Sequence, residues 1–185
     1  MAYTIQGTVE GVAPILFNAF SEDATEKLRA GTTGGKFTDE QRVAEAMQKI
    51  HRDSNGGIGW PSWNFKQCLI EGCKRAGLRE GRSSMAPFIA ATVFVDGERT
   101  FGVESPDAIH EVAGRRPPKT GGAVLIKRPM LKAGWRLPFV LSVLDDRRSP
   151  DHIRTALGEA GMLVGMGSWR PEYGRFVVTE WNVER

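Results

Sequence analysis

Residues 149–183 read SPDHIRTALGEAGMLVGMGSWRPEYGRFVVTEWNV, and their reading decides the expected fold. Ser149-Pro150-Asp151 opens a helix, with serine in the capping place and proline at the first helical position. Ile153, Ala156, Leu157 and Ala160 then fall on one side, and Gly161 reads as the stop. Gly165 to Gly174 is a loop of glycine, proline and aromatic residues, and Arg175 to Val183 reads as a closing strand carrying Phe176 and Val178.

Working outward, Ala123 to Leu131 and Trp135 to Leu144 are strands joined by Lys132-Ala133-Gly134, expected to pair antiparallel. Pro87 to Val95 (PFIAATVFV) is rich in strand formers, and Asp96-Gly97 before Thr100-Phe101-Gly102-Val103 signals a hairpin. Pro61-Ser62-Trp63-Asn64 opens an earlier helix carrying Phe65, Leu69, Ile70 and Cys73, with Ser62 or Asn64 as cap and Gly77 as closure. Tyr3 to Phe17 begins as a strand, and Pro14 limits its regular pairing. The polar segment Glu22 to Asp53, broken by Gly31, Gly34 and Gly35, becomes helical from Asp39, where Val43, Met47 and Ile50 share a face. Without insertions the order is strand, helix, strand, strand, helix, strand. This predicts an α+β class of ferredoxin-like (RRM-like) βαββαβ order: a four-stranded antiparallel sheet with helical and β-hairpin insertions. Residues 1–185 would form one domain, with insertions at 18–58 and 86–122. The sheet would keep a free face, of the kind RNA-recognition domains turn toward single strands.

The 185 residues are 41% hydrophobic and 25% charged, an ordinary globular balance that excludes disordered and fibrous classes. Cys68 and Cys73 are the only cysteines; their spacing suits neither a disulfide framework nor a zinc site, and a reducing compartment is expected. No apolar run approaches a membrane span and the first ten residues lack a signal core, so the expected location is cytoplasmic with no membrane partner. The net charge is only +3, but its distribution is uneven. From Val112 to Leu144 there is no Asp or Glu against Arg115, Arg116, Lys119, Lys127, Arg128, Lys132 and Arg136. Such a stretch attracts polyanions, because each phosphate it neutralises releases condensed counterions; a solvated basic loop is the plainer alternative.

In the loop after the last helix, Gly165 and Gly167 allow close backbone approach, Ser168 can donate to phosphate, Arg170 and Arg175 add charge, and Trp169 and Tyr173 add stacking faces. The dinucleotide fingerprint is absent, since Arg170 stands where its third glycine would be. This loop resembles the glycine-rich loop of the RAMP superfamily, the ferredoxin-like proteins of CRISPR effector complexes. Gly59-Trp60-Pro61-Ser62-Trp63-Asn64-Phe65-Lys66 likewise resembles the Pro-Gly-Ser-Ser-Leu-Lys-Gly segment that opens the first helix of their backbone subunits. Pro61, Ser62 and Lys66 match; the intervening glycine is missing, Asn64 and Phe65 replace Ser and Leu, and Gln67 replaces the last Gly.

The resemblance implies that Ser62, Asn64 and Lys66 hold RNA phosphates at a helix start, a place whose N–H groups and dipole also favour phosphate on physical grounds. Otherwise Ser62 or Asn64 merely caps, Lys66 is solvated, and Trp63 and Phe65 are core. It further implies a single-stranded guide RNA along which copies oligomerise as a filament, a complementary RNA or DNA target, and a β-hairpin thumb at Val93 to Val103 or in the loop at Arg115 to Gly122. No cofactor, metal or catalytic residue is assigned. A RAMP-type RNA endonuclease using Asp23, Asp39, Asp53 or His51, and a filament or virion assembly protein, are the alternatives. His51 could equally contact phosphate, and Asp145-Asp146 beside Arg147-Arg148 reads as a self-neutralising turn.

Overall fold

A computed structural model describes residues 2–19, 38–97, 99–115, 123–147 and 149–185. Among them the fold is a mixture of antiparallel sheets and four helices. The expected sites Arg116 and Lys119, the acids Glu22 and Asp23, and Arg148 lie outside the described residues. In chain order the elements are β1 (Tyr3–Gly11), β2 (Ile15–Leu16), α1 (Asp39–Met47), β3 (Gly59–Trp60), α2 (Ser62–Arg75), β4 (Arg79–Glu80), β5 (Ser83–Ser84), α3 (Ala86–Thr92), β6 (Val93–Asp96), β7 (Arg99–Thr100), β8 (Ala108–Arg115), β9 (Ala123–Leu131), β10 (Arg136–Val143), α4 (Pro150–Leu163) and β11 (Phe176–Glu184).

The main sheet has the order β11-β1-β10-β6, every neighbour antiparallel. Period-two alternation sends Tyr3, Ile5 and Val9, and Leu137, Phe139, Leu141 and Val143, to one face, where they are buried. Gly7 shares that face because Phe139 lies across it: a Cβ there would sit 2.5 Å from the Phe139 ring. The vacated space admits Phe139 between Phe65, at 5.2 Å, and Trp181, at 6.1 Å. Helices α2 and α4 cover this face through Phe65, Cys68, Leu69, Ile153, Ala156 and Leu157. They cross at Gly72, whose Cβ would meet that of Ala160 at 2.4 Å. Ser149 caps α4 as expected, accepting from Asp151 N at 3.2 Å. Gly161 does not end the helix: α4 runs on to Leu163, and the glycine lies within it because a Cβ would come 2.1 Å from the Phe176 carbonyl oxygen.

Three further expectations are corrected. The strands at 123–131 and 135–144 do not pair: β9 joins β8 and β2, while β10 joins β1 and β6. The chain turns a corner between them, because Trp135 is buried with its indole N–H on the Ala13 carbonyl at 2.8 Å, over a Gly11 that has no Cβ to obstruct it. The long hairpin is instead β8–β9, in register from Ala108↔Met130 to Arg115↔Ala123. Pro87 to Val95 is not one strand but helix α3, with a proline in its first turn, followed by β6. Its uniformly apolar residues show no period, so burial of Ala86 and Ile89 against α2 decides. Finally Gly97 turns as expected, at φ 67°, but β7 pairs with β3 rather than folding back on β6.

The helix crossing generates a paired test. Gly72→Ala should lower unfolding free energy by about 1–3 kcal/mol through overpacking. Gly158→Ala, in α4 where a Cβ meets nothing within 4 Å, should be neutral or stabilising. Urea denaturation giving equal effects for the two would refute the close crossing.

Candidate nucleic-acid interface

The start of α2 is set by a buried cation. Arg99 is 3% exposed and donates to the carbonyl oxygens of Trp60 (3.3 Å), Asp96 (2.9 Å) and Gly97, and to the Ser62 hydroxyl. Burial pulls its pKa down and Asp96 opposes that, but a guanidinium stays charged. Ser62 is therefore an acceptor for Arg99 and does not cap the helix, nor does Asn64. The N-cap is Pro61, which offers no side-chain bond, so among the described residues no side-chain cap closes this helix end.

The glycine loop is stitched to the chain around Pro14 and to α2. Ser168 N donates to Leu16 O at 2.9 Å, Gly174 N to Pro14 O at 2.7 Å, and Met166 N to Gly174 O at 2.9 Å. Gly165, Gly167 and Gly174 all have positive φ, and a Cβ on Gly174 would lie 1.6 Å from Met166 O. On Gly167 it would lie 2.5 Å from Leu16 O. These glycines thus serve close approach of the chain to itself. The Cys68 thiol, pushed up to about 12 by burial, donates to Gly165 O at 3.3 Å and binds this loop to α2 as an unreactive group.

A groove runs past both pieces. A cavity of about 250 Å³ is lined by His51, Trp60, Asn64, Gln67, Ser168 and Arg170, with the Gly167 backbone in its wall. On one side it shares His51 and Trp60 with a cavity of about 210 Å³ that contains Ser62, Asp53 and Arg99. On the other it shares Gln67, Ser168 and Arg170 with a wider cleft of about 650 Å³ reaching Trp169, Glu71 and Arg75. Among the described residues no carboxylate lines the central cavity. Asp53, in the first outer cavity, is occupied by the Asn55 and Gly57 N–H groups at 2.9 and 2.7 Å.

Of the expected residues, the fold brings Ser62, Asn64, Gly167, Ser168, Trp169 and Arg170 onto this groove. Lys66 points elsewhere, its Nζ 4.5 Å from the Phe94 ring. Lys127 is bound to Asp39 at 2.7 Å and Glu111 at 3.0 Å, and these bonds raise its pKa, so its charge is already matched. Arg128 stacks 5.8 Å from Trp169, which also meets His110 and Tyr173; the Tyr173 hydroxyl lies 3.3 Å from His110 Nε2. That cluster fastens the β8–β9 hairpin to the glycine loop. Gly165 is buried within the loop, and Arg175 is exposed beyond the groove lining with its carbonyl accepting from Val12 N and Ala13 N. Arg115 ends β8 opposite Ala123. Arg136 stands on the free sheet face with Glu10 and Glu180. The strands put Asp96 and Glu184 on that face too, so it is the wrong sign for a polyanion.

Gln67, Arg75 and Arg99 were not singled out from sequence. Gln67 follows Asn64 by one helical turn and was legible in that spacing; Arg99 depends on a tertiary pairing and was not. Trp63, read alternatively as core with Phe65, is 65% exposed while Phe65 is fully buried. Among the described residues no three His, Cys, Asp or Glu converge as a metal site, and no helix is long and apolar enough to cross a membrane.

No family model and no curated protein matches the sequence. Among solved structures, the chain is similar to one in the cryo-EM structure of the type III-B Cmr-beta bound to cognate target RNA. The TM-score is 0.62 at 10% identity, over all of this chain and 61% of that one. The likeness is one of fold, and this chain spans less than two thirds of that chain's length.

Burial depresses the pKa of His51 below its ordinary 6.5. Below about pH 6.5 the unfolded chain thus binds a proton that the folded chain resists, and stability falls as pH drops toward the folded value. An NMR titration of the His51 ring should have its midpoint below 6.5, and His51→Gln should flatten the acid side of the stability profile. A midpoint at or above 6.5 would contradict burial as the cause.

Proposed function

We propose that this protein is a ferredoxin-like, RAMP-type subunit that binds single-stranded RNA through its phosphates along the groove crossing the start of α2. The observation that carries the reading is the convergence of an uncapped helix N-terminus, Ser168 and Arg170 around a cavity that no carboxylate lines among the described residues. Arg75 extends positive charge along the adjoining cleft. The fold reading is supported by the antiparallel order β11-β1-β10-β6 with α2 and α4 on one face, and by likeness to a chain of an assembly bound to target RNA.

Several copies line one guide strand in the cytoplasm and leave most bases free to pair with complementary RNA or DNA, so that sequence specificity rests in the guide. The β8–β9 hairpin is the thumb that reaches a neighbouring copy. The endonuclease alternative is less well supported, since Asp39 is held by Lys127 and Asp53 by its own loop.

Fluorescence anisotropy with RNA oligomers across a salt series tests this. Arg170→Ala and Arg75→Ala should each weaken binding to all sequences alike and reduce the slope of log K against log salt by about 0.7–1. Absence of salt-sensitive binding, or unchanged slopes in both variants, would overturn it.

A further inference from the structure

We propose that the central cavity is a recognition pocket for a single unpaired nucleobase, adenine in preference to the pyrimidines. The inference rests on the groove being an RNA path and adds base reading at one position of it. Three carboxamides, Asn18, Asn64 and Gln67, line the cavity together with the aromatic rings of His51 and Trp60. A phosphate engages only the donor half of a carboxamide, whereas the paired donor and acceptor together match the edge of a base. Asn and Gln suit adenine best, because each offers one donor and one acceptor to its N6 and N7.

Size and walls agree. At about 250 Å³ the cavity is smaller than the roughly 300–1,000 Å³ of sites for drug-sized molecules, so it suits one planar heterocycle with sugar and phosphate outside. His51 and Trp60, with ring centroids 6.5 Å apart and planes at 83°, give it aromatic surface. Trp60 is 7% exposed, and its indole N–H is buried with no hydrogen-bond partner among the described residues. Arg170 at the rim, shared with the wider cleft, places the attached phosphate on the path already described.

Nucleosides carry no phosphate and test the pocket apart from the path. Saturation-transfer NMR with adenosine, cytidine and uridine should show transfer to the adenine ring protons exceeding that to the pyrimidines. Asn64→Ala/Gln67→Ala should abolish the adenosine signal. Asn64 is exposed and Gln67 half-buried on α2, where alanine favours the helix, so an unchanged circular dichroism spectrum and melting temperature are expected. No adenosine transfer to the wild-type protein, equal transfer in the double variant, or transfer to uridine matching that to adenosine would each overturn the pocket. Salt-sensitive binding of RNA oligomers alongside such a result would leave the RNA path standing; its absence alongside intact adenosine transfer would remove the path and keep the pocket.

Discussion

The buried guanidinium of Arg99 is the constraint from which the rest of the groove follows. A cation taken out of water must be surrounded by acceptors, and here the carbonyls of Trp60, Asp96 and Gly97 and the Ser62 hydroxyl surround it. Meeting that demand ties β7 both to β3 and to the turn after β6, and holds the segment entering α2 in one place. Ser62 is thereby consumed, and the helix begins without a cap of its own. An uncapped N-terminus beside a cavity is a consequence of this local satisfaction.

The second half of the site is built by close backbone approach. Gly174 lies against Met166 O and Gly167 against Leu16 O, so the loop can neither drift nor acquire side chains at those positions. Glycines that look like an invitation to a ligand are thus first required by the chain's own crossing. What remains for a ligand is the outer side of the loop: Ser168, Arg170 and one aspect of Trp169. Arg128, His110 and Tyr173 take other aspects of Trp169, and this couples the groove to the β8–β9 hairpin.

Charge counted along the chain and charge found in space differ here. Of the seven cations between Val112 and Leu144, Lys127 is neutralised by Asp39 and Glu111, and Arg136 belongs to the free sheet face. Salt-bridge partners come from other elements, and a linear count cannot see them. The groove draws its positive charge instead from Arg75, Arg99 and Arg170, which are scattered in sequence and ordinary in their local context.

By itself, the sequence determined the amphipathic elements that bury a face: the alternation in β1 and β10, the helical spacing of α2 and α4, the Ser149 cap, and the closure at Gly77, whose φ is 62°. Each is a local periodicity or turn preference, and each acts within a few residues. Only the tertiary structure decided which strand β9 would join, that Pro87 to Thr92 would be helical, that Gly161 would serve packing rather than termination, and that Trp63 would face solvent. Those outcomes turn on contacts between distant segments, such as Trp135 on Ala13 and Arg99 on Trp60, whose energies no local pattern contains.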